Sequence, residues 1–316
     1  MWDESSGASH VMERRISNRF VIINNPTDQE METISEGLRV YDSQQPFGEL
    51  DVPYNDINLV LRDLDGNVVG GIITSMKTGV MHLEVLWIDE RYRGLGYGRD
   101  LVLEAEKIGK ANGYTTSQTW TFSFQGPEFY KAIGYKVIGI CDVYPDNITE
   151  FVFMKRLDNT WRGLEKKDRT RPDDKFKGFT ISEDKSEDAM KVLDKGLGGY
   201  VKEQAGESLK KYPGIRVKLA IKDDDQIIGG ISAFTAIGVL HIELMWVNER
   251  FRGQGLGRRL LTEAEKIAKE KGAVSGLTWV LSFNSPEFFQ KCGYEVFGVS
   301  DGYPDPVKEY YLKKRL

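Results

Sequence analysis

Two short segments of the chain carry the residue types needed to hold an anion on backbone amides. Arg93-Gly94-Leu95-Gly96-Tyr97-Gly98 and Arg252-Gly253-Gln254-Gly255-Leu256-Gly257 each follow an apolar stretch and precede a helix-like one. Glycines let the backbone turn tightly with its N–H groups pointing inward. The start of a helix adds unpaired N–H donors and a partial positive charge, and together these suit a phosphate or pyrophosphate. Neither segment has the Lys-Ser/Thr pair of a P-loop or the Rossmann spacing. A tight turn that needs glycine would account for one such segment. Two of them, each with arginine at both ends (Arg93 and Arg99, Arg252 and Arg258), favour the anion site.

The apolar stretches before these loops carry groups that can move protons. The first reads Met81-His82-Leu83-Glu84-Val85-Leu86-Trp87-Ile88, the second Leu240-His241-Ile242-Glu243-Leu244-Met245-Trp246-Val247. Strand alternation puts Leu83, Val85 and Trp87 on one face and His82 and Glu84 on the other. Histidine titrates near neutrality and suits taking a proton from an ammonium. The plainer alternative is a half-buried histidine bonded to a neighbouring carboxylate. The chain has three histidines, and the two outside the N-terminal leader are these equivalent ones. Glu84 and Glu243 are equally suited as bases, or as partners that orient the histidines. Trp120 and Trp279 also match; they read as core aromatics, with lining a pocket as the alternative. Asp142 and Asp301 read as turn residues, with binding a cationic molecule as the alternative.

These segments belong to a repeat. A shift of 159 residues carries Phe20 to Phe179, His82 to His241, Trp120 to Trp279 and Leu157 to Leu316. The chain of 316 residues therefore holds two copies of one fold, at 17–157 and 178–316. Each copy predicts strands at 20–23, 59–61, 68–75, 80–88, 116–122, 136–140 and 151–155, and helices at 28–38, 98–112 and 127–132 in first-copy numbers. Residues 158–177 are dense in Lys, Arg and Asp and read as a linker that Trp161 could pin to a domain. Residues 1–16 read as a disordered leader. The copies diverge most at 42–57 and 202–216, so two pockets of different shape are expected.

Composition excludes several classes. The net charge of −5 disfavours nucleic acid as the main partner. No apolar run approaches the roughly 18 residues of a membrane span. Cys141 and Cys292 occupy non-equivalent places, opposite Ser300 and Ile133, which argues against a disulfide, a metal site or a shared nucleophile and fits a reducing cytoplasm.

The pattern [Arg/Gln]-x-x-Gly-x-[Gly/Ala] between an apolar strand and a helix resembles the acetyl-CoA loop of the GNAT N-acetyltransferase family. Arg93-x-x-Gly96-x-Gly98 and Arg252-x-x-Gly255-x-Gly257 both match it. Downstream, Phe129-Tyr130-Lys131-Ala132-Ile133-Gly134-Tyr135 is similar to the family's Phe-Tyr-x-x-x-Gly-[Phe/Tyr] element. The resemblance covers both copies and implies two tandem α/β domains. Each would have a mixed, mostly antiparallel sheet flanked by helices.

What the resemblance implies for chemistry is direct transfer of acetyl from acetyl-CoA to an amine. The strand around Leu86 and Ile88 (Val247 in the second copy) would hold the pantetheine arm. The amides of Gly94, Gly96, Tyr97 and Gly98, and of Gly253, Gly255, Leu256 and Gly257, would hold the pyrophosphate, with Arg93, Arg99, Arg252 and Arg258 nearby. Tyr130 would protonate the leaving thiolate. The second copy has Phe289 there, which cannot donate a proton, so the first copy is expected to be the more active. His82 and His241 stand eleven residues before the loop arginine. That is where histone-type relatives place their general base. The expected acceptor is a small-molecule amine: an amino acid, a polyamine or an antibiotic-like compound. A protein or peptide acetyltransferase and a non-catalytic acyl-CoA sensor are the alternatives. Whether the copies pack as a pseudo-dimer is left open.

Overall fold

The computed structural model describes residues 12–15, 19–45, 56–157 and 179–316. Residues 1–11 of the leader, the linker at 158–177 with Trp161, and residues 46–55 of the divergent region lie outside the described residues.

The first repeat runs β1 (Met12–Arg15), β2 (Phe20–Asn24), α1 (Asp28–Ser43), β3 (Leu59–Arg62), β4 (Val68–Lys77), β5 (Val80–Ile88), α2 (Tyr97–Ala111), β6 (Thr116–Phe122), α3 (Pro127–Ala132), β7 (Lys136–Cys141) and β8 (Glu150–Arg156). The second runs β9 (Thr180–Glu183), α4 (Glu187–Lys211), β10 (Arg216–Asp223), β11 (Gln226–Ala236), β12 (Val239–Val247), α5 (Leu256–Glu270), β13 (Ser275–Leu281), α6 (Pro286–Lys291), β14 (Glu295–Ser300) and β15 (Glu309–Arg315). Met12–Arg15, part of the stretch read as leader, form β1 and pair with β2.

All fifteen strands join one sheet in the order β1-β2-β10-β11-β12-β13-β15-β14-β7-β8-β6-β5-β4-β3-β9. Pairing is antiparallel except for β5 with β6 and β12 with β13. The repeats meet at β7 and β14 through one pair, Gly139 with Gly298. A Cβ on Gly298 would stand 2.9 Å from the Gly139 Cα, so the absence of side chains lets the two backbones touch.

The order reveals an exchange. Strand β2 pairs with β10 of the other repeat, Ile22 opposite Ile221 and Ile23 opposite Ala220. Strand β9 pairs with β3, Val60 opposite Ser182. The helices follow their strands. On α1, Ile34 and Met31 pack on Ala220 with Leu244 and Trp246 beside them. On α4, Leu193 and Ala189 pack on Val60 with Val85 and Trp87 beside them. Burying each such aliphatic side chain contributes roughly 1.5–3 kcal/mol.

Helix α1 starts at a capping box: the Thr27 hydroxyl accepts from the Glu30 amide at 3.2 Å, and Glu30 Oε2 accepts from the Thr27 amide at 2.7 Å. It runs to Ser43, past the expected end at Leu38. Gly37 does not terminate it but makes room, because a Cβ there would lie 2.4 Å from the Trp246 ring. Gly196 on α4 does the same for Trp87, at 2.3 Å. No helix among the described residues is long and apolar enough to cross a membrane.

Candidate active site

Each repeat opens a fork in its sheet. Strands β5 and β6 pair over Val80–His82 alone, and β12 and β13 over Val239–Ile242. A bulge accounts for the divergence. On β5, Val85 pairs with Ile73 and Leu83 with Thr74, leaving Glu84 as the extra residue. On β12, Glu243 is extra in the same way. A bulge bends its strand and increases the local twist. Beyond the fork, residues through Ile88 and Val247 have no β6 or β13 partner. At the fork itself the Thr119 hydroxyl donates to the Leu83 carbonyl at 3.0 Å, and Thr278 to Ile242 at 3.3 Å.

The glycine loops close the open end of each fork. Gly94 and Gly96 have φ of 75° and 94°, Gly253 and Gly255 of 78° and 77°. A Cβ at any of the four would meet nothing within 4 Å, so glycine is required by the backbone angle, and the space above the loop is open. Gly96 and Gly255 cap α2 and α5 without any side-chain bond to the first helical amides. Those amides are left for a ligand, as a bound anion needs. Gly257 instead gives room to Met245, 3.1 Å from where a Cβ would stand, while a Cβ on Gly98 would touch Phe129 at an ordinary 3.7 Å. Tyr97 and Leu256 turn their side chains into the core, so they offer backbone only.

The loop arginines act partly on the protein. Arg93 Nε donates to the Ile88 carbonyl at 2.8 Å, Arg252 Nε to Val247 at 2.9 Å. Each guanidinium also stacks on a tyrosine of the exchanged helix, Arg93 over Tyr200 at 4.9 Å and Arg252 over Tyr41 at 4.4 Å. Those tyrosines donate in turn to the carbonyls of Phe124 and Phe283. The exchanged helices thus tie each loop to the end of its fork. Arg258 donates to the Lys291 carbonyl at 2.9 Å, and Arg99 lies near Lys155.

Between the forks lies a cleft of about 1180 Å3. Its walls include Val247, Arg252, Gly253, Gly255, Leu256, Gly257 and Arg258 of the second repeat, and His82, Glu84 and Phe122 of the first. Leu86, Ile88 and the first-repeat loop from Gly94 to Arg99 are outside it, and Arg93 lines a separate hollow of about 320 Å3 with Trp87 and Tyr200. Trp120 and Trp279 are 42% and 39% exposed and line the cleft. The core reading of these two residues is therefore corrected: each sits at a position of its strand that faces the cavity. Asp142 and Asp301 pair across the repeats with Lys313 at 2.5 Å and Arg156 at 3.0 Å.

The histidines are buried in this cleft, and each contacts a tyrosine of the other repeat. His82 Nε2 is 3.4 Å from the Tyr303 hydroxyl, and His241 Nε2 is 3.4 Å from that of Tyr144. Burial, with a smaller effect from the charge of Lys77, pushes His82 down to about 3. Burial alone pushes His241 down to about 4. Both rings are neutral at neutral pH. Glu84 accepts a short bond from the Ser75 hydroxyl, and Glu243 pairs with Arg216 at 2.7 Å. Behind the tyrosines stand two buried carboxylates, Glu150 and Glu309. The sequence reading passed over Tyr144, Tyr303, Glu150 and Glu309. Their identity between repeats was the available signal, but the glutamates open short strands where a solvated residue is the ordinary expectation.

Tyr130 and Phe289 occupy matching places beside their forks. Tyr130 packs edge-on against Phe129 and Tyr135 and lies beside the Thr119 side chain, while burial pushes its phenol up to about 12. Phe289 lines the cleft.

A forked mixed sheet with an uncapped helix start at the fork's end is suited to an extended ligand that carries an anion. The chain belongs to the acetyltransferase (GNAT) family, whose pattern matches residues 28–135 and 191–294. Members of this family use acetyl-CoA. The chain is similar to the blasticidin-S acetyltransferase of Streptomyces morookaense, at 33% identity over 29% of this chain and 68% of that protein. It is similar to an acetyltransferase of Agrobacterium fabrum, at 28% identity over 44% of this chain and 98% of that one. A crystal structure of a Bacillus cereus acetyltransferase covers 43% of this chain and 96% of its own, at 32% identity and a TM-score of 0.41.

Proposed function

We propose that the chain moves the acetyl group of acetyl-CoA directly to a primary amine of a small molecule, and that the first repeat carries the fuller set of catalytic groups. The observation that carries this reading is Tyr130. Its hydroxyl lies beside Thr119, whose own hydroxyl is bonded to Leu83 at the fork. The second repeat has a hydrocarbon ring at that place.

The open space over Gly94, Gly96, Gly253 and Gly255 and the uncapped amides of α2 and α5 fit a pyrophosphate. The edge of β5 that β6 leaves open at Leu86–Ile88, and that of β12 up to Val247, suits the amides of a pantetheine arm. Bound acetyl-CoA supplies the acetyl thioester. The attacking amine must be neutral, and His82 and Glu84, both on the cleft, are placed to relay its proton; burial keeps His82 neutral, so the ring passes the proton on and does not store it. Tyr130, held protonated by burial, donates to the leaving sulfur. The free thiols of Cys141 and Cys292 fit a cytoplasmic protein.

The test is thiol release from acetyl-CoA across polyamines, amino acids, aminoglycosides and lysine peptides. Turnover with one small-amine class supports the reading. Acetyl-CoA binding without thiol release from any acceptor overturns it in favour of a sensor.

A further inference from the structure

The cleft between the repeats holds two buried carboxylates that are unequally satisfied. Glu309 is 5% exposed, and its Oε2 accepts from the Tyr311 hydroxyl at 2.5 Å. Tyr303 also hydrogen-bonds it, and Lys77 lies near enough to stabilise its charge. Glu150, its equivalent, is 6% exposed and lines the same cleft. The places of Tyr311 and Lys77 are taken in the other repeat by Val152 and Ala236. Among the described residues, the one side-chain donor to Glu150 is the Tyr144 hydroxyl, at 3.2 Å. That hydroxyl also faces His241. A carboxylate can accept about four hydrogen bonds. A buried one that lacks a cation is costly to ionise, and a ligand cation removes that cost.

We propose that Glu150, with Tyr144 of its own repeat and His241 of the other, holds an ammonium group of the acceptor, and that the acceptor is an alkyl diamine or polyamine. An ammonium paired with a buried carboxylate keeps its proton, whereas the attacking nitrogen must lose its own. The two requirements call for two nitrogens, one anchored and one acetylated. The half-exposed rings of Trp120 and Trp279 on the same cleft give an alkyl chain an apolar path between them. At Glu309 the Tyr311 hydroxyl donates directly and Lys77 lies near without an ion pair, so that carboxylate is the better satisfied of the two. This inference rests on the amine-acceptor reading and narrows it.

Binding of 1,4-diaminobutane and of n-butylamine is measured calorimetrically on the full chain at about pH 8. Glu150, pushed up to about 7 by burial, is then mostly ionised. The groups facing it stay neutral at that pH: Tyr144 and Tyr311, raised well above the usual phenol range, Cys141, raised to about 12, and His241. Glu150→Gln removes the charge. Ala236→Lys gives Glu150 the lysine that Glu309 already has, and so competes with the ligand without removing a side chain from the core. Glu36→Gln, on the exposed face of α1, is the control.

The expected result is diamine affinity at least tenfold weaker in both cleft variants, unchanged in the control, and a monoamine that binds weakly to all. Equal diamine affinity in wild type and Glu150→Gln overturns the proposal, as does wild type that binds no diamine. Thiol release with monoamines that survives both cleft variants overturns it too and leaves the amine-acetylation reading standing. Glu150-dependent diamine binding with no thiol release from any amine supports the site and overturns the acetylation reading.

Discussion

His82 and Tyr303 meet at 3.4 Å although 221 residues of chain separate them. The same contact joins His241 to Tyr144. Each histidine that faces the cleft is therefore set by the repeat it does not belong to, while each glycine loop is braced by the helix of the other repeat. The two copies form one interlocked structural unit.

Tyr130→Phe is expected to lower kcat about 10- to 100-fold while leaving acetyl-CoA affinity within about twofold, because a leaving-group acid acts in the transition state. Phe289→Tyr is expected to leave the rate unchanged or raise it. Steady-state thiol release with saturating acceptor reads both. Equal loss from Tyr130→Phe and Phe289→Ala would move the role from the hydroxyl to packing.

Gly196→Ala places a Cβ 2.3 Å from the Trp87 ring. The expected cost is about 1–3 kcal/mol, read as a lowered thermal midpoint. Gly198→Ala on the same helix meets nothing within 4 Å and is expected to stabilise by up to about 1 kcal/mol. A contiguous packing of the repeats would not put Gly196 against a first-repeat tryptophan.

Glu150 links stability to pH. Its carboxyl is raised from 4.5 in the unfolded reference to about 7 in the fold. The folded state then binds more protons than the unfolded one between these values, so stability falls as pH rises through this window. Glu150→Gln escapes the loss. Its advantage over wild type is expected to be small at about pH 4.5 and to grow to at most about 3 kcal/mol above pH 7. Chemical denaturation at several pH values measures it.

Arg93→Ala removes both the bond to the Ile88 carbonyl and the stack on Tyr200. The loop it braces is expected to lose order, raising the KM for acetyl-CoA about tenfold with a smaller change in kcat. Unchanged acetyl-CoA affinity would show that the loop holds its shape without this arginine.

The sequence made some of this legible and hid the rest, for physical reasons. Alternating strands, the helix opened by Thr27 and the turn at Gly113 are local signals, and the repeat displayed each of them twice. The loop glycines were readable because their positive φ leaves few other residues possible. The exchange was not readable. Two related repeats offer β2 two chemically similar partners, β3 and β10, and nothing within Phe20–Asn24 distinguishes them. The carboxylates Glu150 and Glu309 were missed for the same cause, since their burial arises only when the second repeat closes over them.

Strand exchange is the claim on which the shared cleft depends, and a disulfide tests it most directly. Val21 lies opposite Lys222 on β10. If each repeat kept its own first strand, Val21 would lie opposite Arg62, as Thr180 does in the structure. Antiparallel partners stand about 4.5–5.5 Å apart at Cα, within disulfide reach. In a Cys141→Ser, Cys292→Ala background, mild oxidation of Val21→Cys with Lys222→Cys should close an intrachain disulfide in the monomer, seen by mass after proteolysis. The Val21→Cys, Arg62→Cys pair should stay reduced. Closure of the second pair in place of the first would contradict the exchange and the shared cleft with it.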